Sequence, residues 1–359
     1  MRRMRFRHKP AHALPILILP ALALPVLALW TSLLLADEAG PPAPEPDPPE
    51  RTKCDRPGSD ADAWIDRMQR GVYGTVCGSA SWFDGLFGNP RYEQDSDETF
   101  GRLGLLETYD RRDQLDTRVR LRARFALPNL ENRFRLTLGR GDAQDLVEER
   151  PRNTENPLPP KFESVDDEAW LLGLGYSRQG GLENGFDFGV GVRLHTPIDP
   201  YVKATYRHNL IFNSDTMIRL RETPFWRDSR GFGTTTQATL DHLLTESLLF
   251  RWNNTATIAE DTEGFEWGSN INLYQSLSRR RAISYTVLTV GETRADVELQ
   301  NFGFKVEYRQ NIYRKWLFMS LGAAATWPRE TLLEERKFNP GVGVGFEMYF
   351  GPVPDIDMR

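Results

Sequence analysis

Cysteine is almost missing from this chain: two residues, Cys54 and Cys77, in 359. So sparse a supply excludes a small scaffold stapled by many disulfides. With only five histidines, and none clustered with cysteine at ligand spacing, it also excludes a zinc-finger-type site. In an exported chain Cys54 and Cys77 form a candidate disulfide, with two free buried thiols as the alternative. Long apolar runs are equally scarce. Beyond residue 36 nothing approaches the roughly 18 to 20 unbroken apolar residues of a membrane-spanning helix. Excess positive charge is missing too. Forty-five Lys and Arg face 50 Asp and Glu, a net of −5, the wrong balance for a nucleic-acid-binding surface. There is no phosphate-cradling glycine loop, because the G-x-G runs at 173–175, 189–191 and 341–345 lie inside alternating segments, where small residues relieve crowding. No metal and no cofactor are expected.

The first 36 residues differ in kind. MRRMRFRHK supplies five basic residues and no acid, residues 13–35 are apolar, and Leu34-Leu35-Ala36 offers a small-residue cleavage site. That is the pattern of a signal peptide over 1–36. Pro15, Pro20 and Pro25 interrupt an apolar run longer than a usual signal core, so an uncleaved single-span anchor is the competing reading. Cleavage leaves 40 basic residues against 50 acidic ones, a net of −10.

Residues 37–59 include GPPAPEPDPPE, a proline-rich acidic linker that cannot build a core. Residues 60–99 carry a different signal. Trp64, Met68, Val72, Val76 and Ala80 recur every four residues, behind Ser59 or Asp60 as an N-cap, which predicts a small helical segment. It reads as a periplasmic or plug element, or as a plain amphipathic cap on one end of the region beyond residue 100.

From residue 100 onward the period changes to two. Val119, Leu121, Ala123, Phe125 and Leu127 alternate with Arg118, Arg120, Arg122 and Arg124. Phe134, Leu136 and Leu138 alternate with Arg133, Arg135 and Thr137. Successive side chains of a strand point to opposite faces, so each segment has one apolar and one polar face. A helix would scatter these arginines around its circumference. About ten-residue segments of this kind continue to residue 350, which predicts an all-β, antiparallel transmembrane β-barrel over 100–350 with lipid outside and a polar lumen inside. Fourteen strands are expected, twelve being the alternative. Segment 281–292 is apolar on both faces and 100–109 alternates poorly. The turn at 128–131 is short and the connection 141–167 is long, which makes the first periplasmic and leaves 351–359 as a periplasmic tail. A soluble β-sandwich or lipocalin-like barrel, with the apolar faces inward, needs only seven to ten strands and fits poorly. Trp170, Tyr176, Tyr201, Trp252, Trp267, Tyr274, Tyr308, Trp316 and Trp327, near segment ends, are expected in interfacial girdles.

Over residues 100–350 the chain resembles a Gram-negative outer-membrane β-barrel protein of the porin-like class. Gly345, Met348 and Phe350 are similar to the terminal-strand insertion signal of that class, although nine residues follow Phe350 where most members end on the aromatic. The resemblance implies the cell outer membrane as the address. As partners it implies outer-membrane lipid and lipopolysaccharide and the barrel-assembly machinery; the helical segment itself offers a further periplasmic partner through residues 60–88. It supplies no cargo.

If the apolar residues meet lipid, the lumen receives Arg118, Arg120, Arg122, Arg124, Arg133, Arg135, Arg219 and Arg221. These are the candidates for a solute path. Fixed guanidinium charge guides small anionic solutes. The structural alternative is that these arginines pair with carboxylates such as Asp187, Asp241, Glu266, Glu307 and Glu347 and simply fill the barrel. Three functions are open: a monomeric channel for small polar or anionic solutes by passive or facilitated diffusion, a non-conducting structural or assembly barrel with a plugged lumen, and an outer-membrane lipid-modifying enzyme. For the last, His208 near Ser214 and Asp241-His242 with Thr245 reproduce no nucleophile–base–orienter signature, and catalysis is not expected. The acidic stretch Glu260-Asp261-Thr262-Glu263 reads as solvated loop charge.

Overall fold

The computed structural model describes residues 100–112, 114–126, 134–142, 147–148, 168–179, 184–194, 196–313 and 316–350. The signal peptide, the linker, the helical segment, Cys54, Cys77, Arg133 and the tail 351–359 lie outside the described residues.

Fourteen strands close into one antiparallel barrel in which every strand pairs with its neighbours in sequence and the last pairs with the first. They are β1 (Phe100–Asp110), β2 (Gln114–Ala126), β3 (Phe134–Asp142), β4 (Glu168–Gln179), β5 (Asn184–Leu194), β6 (Asp199–Asn213), β7 (Thr216–Arg227), β8 (Gly231–Thr245), β9 (Leu248–Ala259), β10 (Glu266–Ser278), β11 (Arg281–Glu292), β12 (Leu299–Tyr313), β13 (Leu317–Thr326) and β14 (Asn339–Phe350). The count is the larger of the two expected. The poorly alternating segment is β1, paired over its whole length with β2 and β14. Closure leaves no sheet edge exposed.

The direction of the faces decides what kind of barrel this is. Val119, Phe125 and Phe188 are 36%, 41% and 41% exposed, whereas Asp241, Arg251 and Lys305 are 0%, 1% and 1% exposed. Apolar side chains point out and charged ones point in, the reverse of a water-soluble barrel and the arrangement of a transmembrane one. The apparent irregularity of β11 has a simple cause: Ala282, Ser284, Thr286, Leu288 and Val290 face in, and the fully buried Leu288 is an apolar residue on the polar side. In β1 the inversion comes from Leu106, which shares the inward face with Arg118 and Gly345.

The two ends of the barrel differ. At one, β6–β7, β8–β9 and β10–β11 are joined by the two-residue turns 214–215, 246–247 and 279–280. At the other lie the connections 143–167, 260–265, 293–298 and 327–338. Short turns belong to the periplasmic end of such barrels and long loops to the outer end.

β7 runs through Pro224 to Arg227. A proline removes a ladder donor. The β6–β7 ladder runs from Tyr201–Arg227 to Lys203–Phe225 and resumes at Tyr206–Glu222. The missing N–H of Pro224 therefore falls in a gap, and the strand continues on its β8 side through the pair Pro224–Thr234. Two of the aromatics expected in the girdles are elsewhere. Tyr201 and Tyr274 are buried inward because they share the parity of Gly191 and Ser284. The rims carry other aromatic pairs: Trp226 with Phe232 and Phe302 with Trp327 at the long-loop end, and Tyr313 with Trp316 at the short-turn end.

Candidate functional site

One wall of the lumen is cationic. Arg118, Arg120, Arg122 and Arg124 on β2 pair across β1 with Leu106, Gly104, Arg102 and Phe100. Arg135 on β3 shares their face through the pair with Ala126. Lys203 and Arg207 on β6 and Arg219 and Arg221 on β7 continue it. All seven described candidate arginines therefore face the lumen, on strands β2, β3 and β7. The described ion pairs neutralise part of this wall from within. Arg118 Nε reaches Asp116 Oδ2 at 2.6 Å, Arg207 Nη2 reaches Asp187 Oδ2 at 2.6 Å, and Arg219 Nη2 reaches Asp241 Oδ2 at 2.5 Å.

Between β2 and β6 the wall holds a half-open recess of about 70 Å³ lined by Arg122, Arg124, Arg135, Asp187, Tyr201 and Lys203 among others. Glycine makes this room. A Cβ on Gly173 or Gly191 would lie 2.3 or 2.6 Å from Tyr201 Oη, and one on Gly185 would lie 3.0 Å from Arg207 Nη2. Bare backbone on β4 and β5 lets the long side chains of β6 lie along the wall instead of projecting across the lumen. The G-x-G runs at 173–175 and 189–191 thus relieve crowding, as their place in strands suggested.

The opposite wall, β8 to β14, is neutral-polar with balanced charge. Thr235 hydrogen-bonds Thr257 at 2.9 Å, Thr239 donates to Asn253 Oδ1 at 2.8 Å, and Thr286 donates to Asn272 Oδ1 at 2.8 Å. Asp241 accepts from Arg251 Nε. At the short-turn end Glu347 on β14 joins Arg102 on β1 to Arg309 on β12, across the seam where the first and last strands of the barrel meet. Arg309 also donates to Ser320 Oγ at 3.0 Å and stacks over Phe318 at 5.0 Å. Buried charges need such partners to persist.

The outer mouth holds a feature that the sequence did not announce. Val147 and Glu148, in the β3–β4 connection, are inside the barrel. Val147 packs with Leu171, Tyr201, Phe225 and Ala259, all on inward positions of β4, β6, β7 and β9. Glu148, 0% exposed, accepts from Arg227 Nη1 at 2.7 Å and from Arg230 Nη1 at 2.8 and 3.0 Å. Arg227 also donates to Asp199 Oδ2 at 3.1 Å, and Arg230 donates to Asp261 Oδ1 at 2.8 Å and to Glu266. The acidic stretch 260–263 therefore contributes one carboxylate to this network. Arg227 had a signal, since it has inward parity with Phe225. Pro224, just before them, masks it, because a proline ordinarily ends a central strand. Glu148 had none, because a loop residue has no periodicity to betray its direction.

The histidines form no catalytic constellation among the described residues. His242 Nδ1 shares a 2.9 Å hydrogen bond with Thr216 Oγ1, but Asp241 points to the opposite face, into the lumen. His208 Nδ1 contacts Asn184 Oδ1, an amide and not a carboxylate. His195 lies outside the described residues. Among the described residues no group of three or more His, Cys, Asp or Glu side chains is placed to hold a metal ion.

Gly345 faces inward beside Ser320, while Met348 and Phe350 face outward in register with Leu103 and Gly101. The Phe350 ring covers Gly101, where a Cβ would lie 2.3 Å from its Cδ2.

No family model and no curated protein matches the chain. Among solved structures it is similar to the KdgM porin in complex with disordered oligogalacturonate, with 8% identity over 70% of this chain and 99% of that one and a TM-score of 0.35. It is similar to outer-membrane expressed OmpT of Vibrio cholerae, with 8% identity, 70% and 97% coverage and a TM-score of 0.42. A bacterial polysaccharide outer membrane secretin gives 11% identity, 71% and 99% coverage and a TM-score of 0.42. Likeness at this level assigns neither cargo nor partner. The barrel and its inverted faces rest on the chain's own geometry.

Proposed function

We propose that the chain is an outer-membrane channel for small polar solutes, with a preference for anionic ones, and that the solute path follows the cationic wall of β2 to β7. The observation that carries this reading is the sidedness of the lumen. Guanidinium and ammonium groups gather on one wall beside a recess, and glycines keep them flat. Fixed positive charge along one side of a water-filled path raises local anion concentration and sets selectivity. Guanidinium groups stay charged at any physiological pH and match carboxylate or phosphate in a fork. Gly345, Met348 and Phe350 serve in this reading as the insertion signal at the closing strand.

A second reading has its own support. Arg251, Lys305 and Arg309 are 1%, 1% and 2% exposed, so the β8–β14 side of the lumen is packed with side chains. That favours a non-conducting structural barrel. Recordings of the purified, folded full chain in planar bilayers separate the two. The channel reading expects discrete conductance whose reversal potential in a KCl gradient favours chloride, with the preference lost in Arg120→Ser/Arg122→Ser. A folded barrel without conductance overturns it in favour of the structural reading.

A further inference from the structure

The outer face of the barrel is apolar through its middle, with one interruption. Glu222 sits at the middle of β7, six residues from Thr216 and five from Arg227. It lies on the outward face, paired with Tyr206 on β6 and Thr236 on β8; Tyr206 is 50% exposed. Its two oxygens accept from the hydroxyls of Thr234 and Thr236. Two strands on, Asn254 accepts from Ser269 Oγ at 2.9 Å, and Ser269 accepts from Trp252 Nε1 at 3.0 Å. The amide nitrogen of Asn254 donates to none of the described residues. Other outward charges, such as Glu107 and Arg140, lie close to the outer ends of their strands, three residues from Asp110 and two from Asp142. Elsewhere at the depth of Glu222 the outward positions are residues such as Leu172, Phe188, Val287, Phe304 and Leu321.

A carboxylate and an unpaired amide facing acyl chains are expensive, and an ionisable residue at membrane depth marks an interaction. Lipid tails offer neither donor nor acceptor. This patch offers both, side by side, and that complementarity points to its occupant. We propose that the outer face of β7 to β9 is where a second copy of this chain docks, about a twofold axis along the membrane normal. Glu222 of each chain accepts from the Asn254 amide of the other.

Depth supports the pairing. The hydrogen-bonded row Glu222–Thr236–Ala256 climbs toward the outer end. At a strand tilt of about 40° and a spacing of about 4.8 Å, crossing two strands raises the row by roughly 6 Å. Moving two residues along β9, from Ala256 to Asn254, lowers it by roughly 5 Å. Glu222 and Asn254 therefore lie at nearly equal depth on either side of β8, and a rotation that preserves depth exchanges them. An isologous contact demands this reciprocity. The side chains at the axis, Thr236 and Ala238, are small enough for the curved walls to touch. The longer Glu222 and Asn254 flank them and span the widening gap. The inference depends on the outward face meeting lipid and not on conduction, and it replaces the expected monomer with a dimer.

The test uses the full chain in the outer membrane of expressing bacteria, in a Cys54→Ser/Cys77→Ser background. Ala238→Cys, near the axis, should form a disulfide-linked dimer on oxidation with copper phenanthroline, and Phe304→Cys, four strands round the wall on β12, should not. Adding Glu222→Leu should lower the linked fraction at least about tenfold, since each lost charge-assisted hydrogen bond counts twice in a symmetric contact. Heat-modifiable gel mobility should show that the variant still folds. If Glu222→Leu does not fold, Asn254→Leu replaces it with the same expected loss. Ala238→Cys and Phe304→Cys linking equally, Ala238→Cys remaining monomeric, or Ala238→Cys linking to a different protein would each overturn the proposal.

Discussion

Glu148 offers the sharpest perturbation of the mouth. It is fully buried and held by two arginines, at 2.7 Å from Arg227 and 2.8 Å from Arg230. Replacing it by Gln keeps the shape and removes one negative charge. The cost has two parts. Breaking a buried ion pair by removing one partner is worth about 3 to 5 kcal/mol when the survivor is left alone. Here Arg227 keeps Asp199 and Arg230 keeps Asp261 and Glu266, so the expected loss falls below that range, about 2 to 3 kcal/mol. The electrostatic part acts on permeating ions. A unit charge about 4 Å from a path in water-like dielectric contributes about 1 kcal/mol, or roughly a fivefold change in local anion occupancy. Glu148→Gln should therefore lower the urea midpoint of the folded barrel and raise the chloride-to-potassium permeability ratio at least about fivefold, because potassium occupancy falls as chloride occupancy rises. The double variant with Arg230→Gln should lose less than the sum of the single losses. Wild-type stability together with an unchanged permeability ratio would refute the placement of Glu148 inside the mouth.

Glu347→Ala should destabilise the barrel more than Arg102→Ala, because it strips one carboxylate from both Arg102 and Arg309 across the closing seam. A cost of about 3 kcal/mol or more is expected, read as a lower temperature for loss of the compact gel form. Gly173→Ala places a methyl against the Tyr201 hydroxyl and should cost about 1 to 3 kcal/mol by overpacking. Tyr201→Phe, which deletes that oxygen, should restore most of the loss in a denaturant titration. Phe188→Arg, on the outward face, should cost about 2 to 4 kcal/mol in bilayers. Thr205→Ser, on the inward side of the same ladder, should change folding free energy by less than about 1 kcal/mol.

The fold was legible to the degree that period two was legible. Arg118 to Phe125 and Phe186 to Leu194 declare their faces by themselves, and both faces are where the pattern placed them. Strand ends were harder. A proline such as Pro224 ordinarily ends a central strand, yet a gap in one ladder absorbs the missing donor and the strand runs on to Arg227. Tyr201 and Tyr274 were assigned to girdles by residue type, and parity sends both inward. The wall of arginines was readable because those residues lie on strands. The mouth was not, because Glu148 is placed by contacts made between residues 79 and 82 positions apart, and no local pattern encodes them. The role of the outward Glu222 was equally hidden, since its parity gives its face but not the Thr234 and Thr236 hydroxyls that it accepts from.

Depth-dependent quenching tests the orientation of the faces most directly. A small fluorophore placed singly at residues 186 to 190, in vesicles of brominated-chain lipid, should be quenched strongly at Phe186, Phe188 and Val190 and weakly at Asp187 and Gly189. Strong quenching at Asp187 and Gly189 with shielded phenylalanines would mean that the oily side is a protein interior, and neither a membrane address nor a channel would survive it.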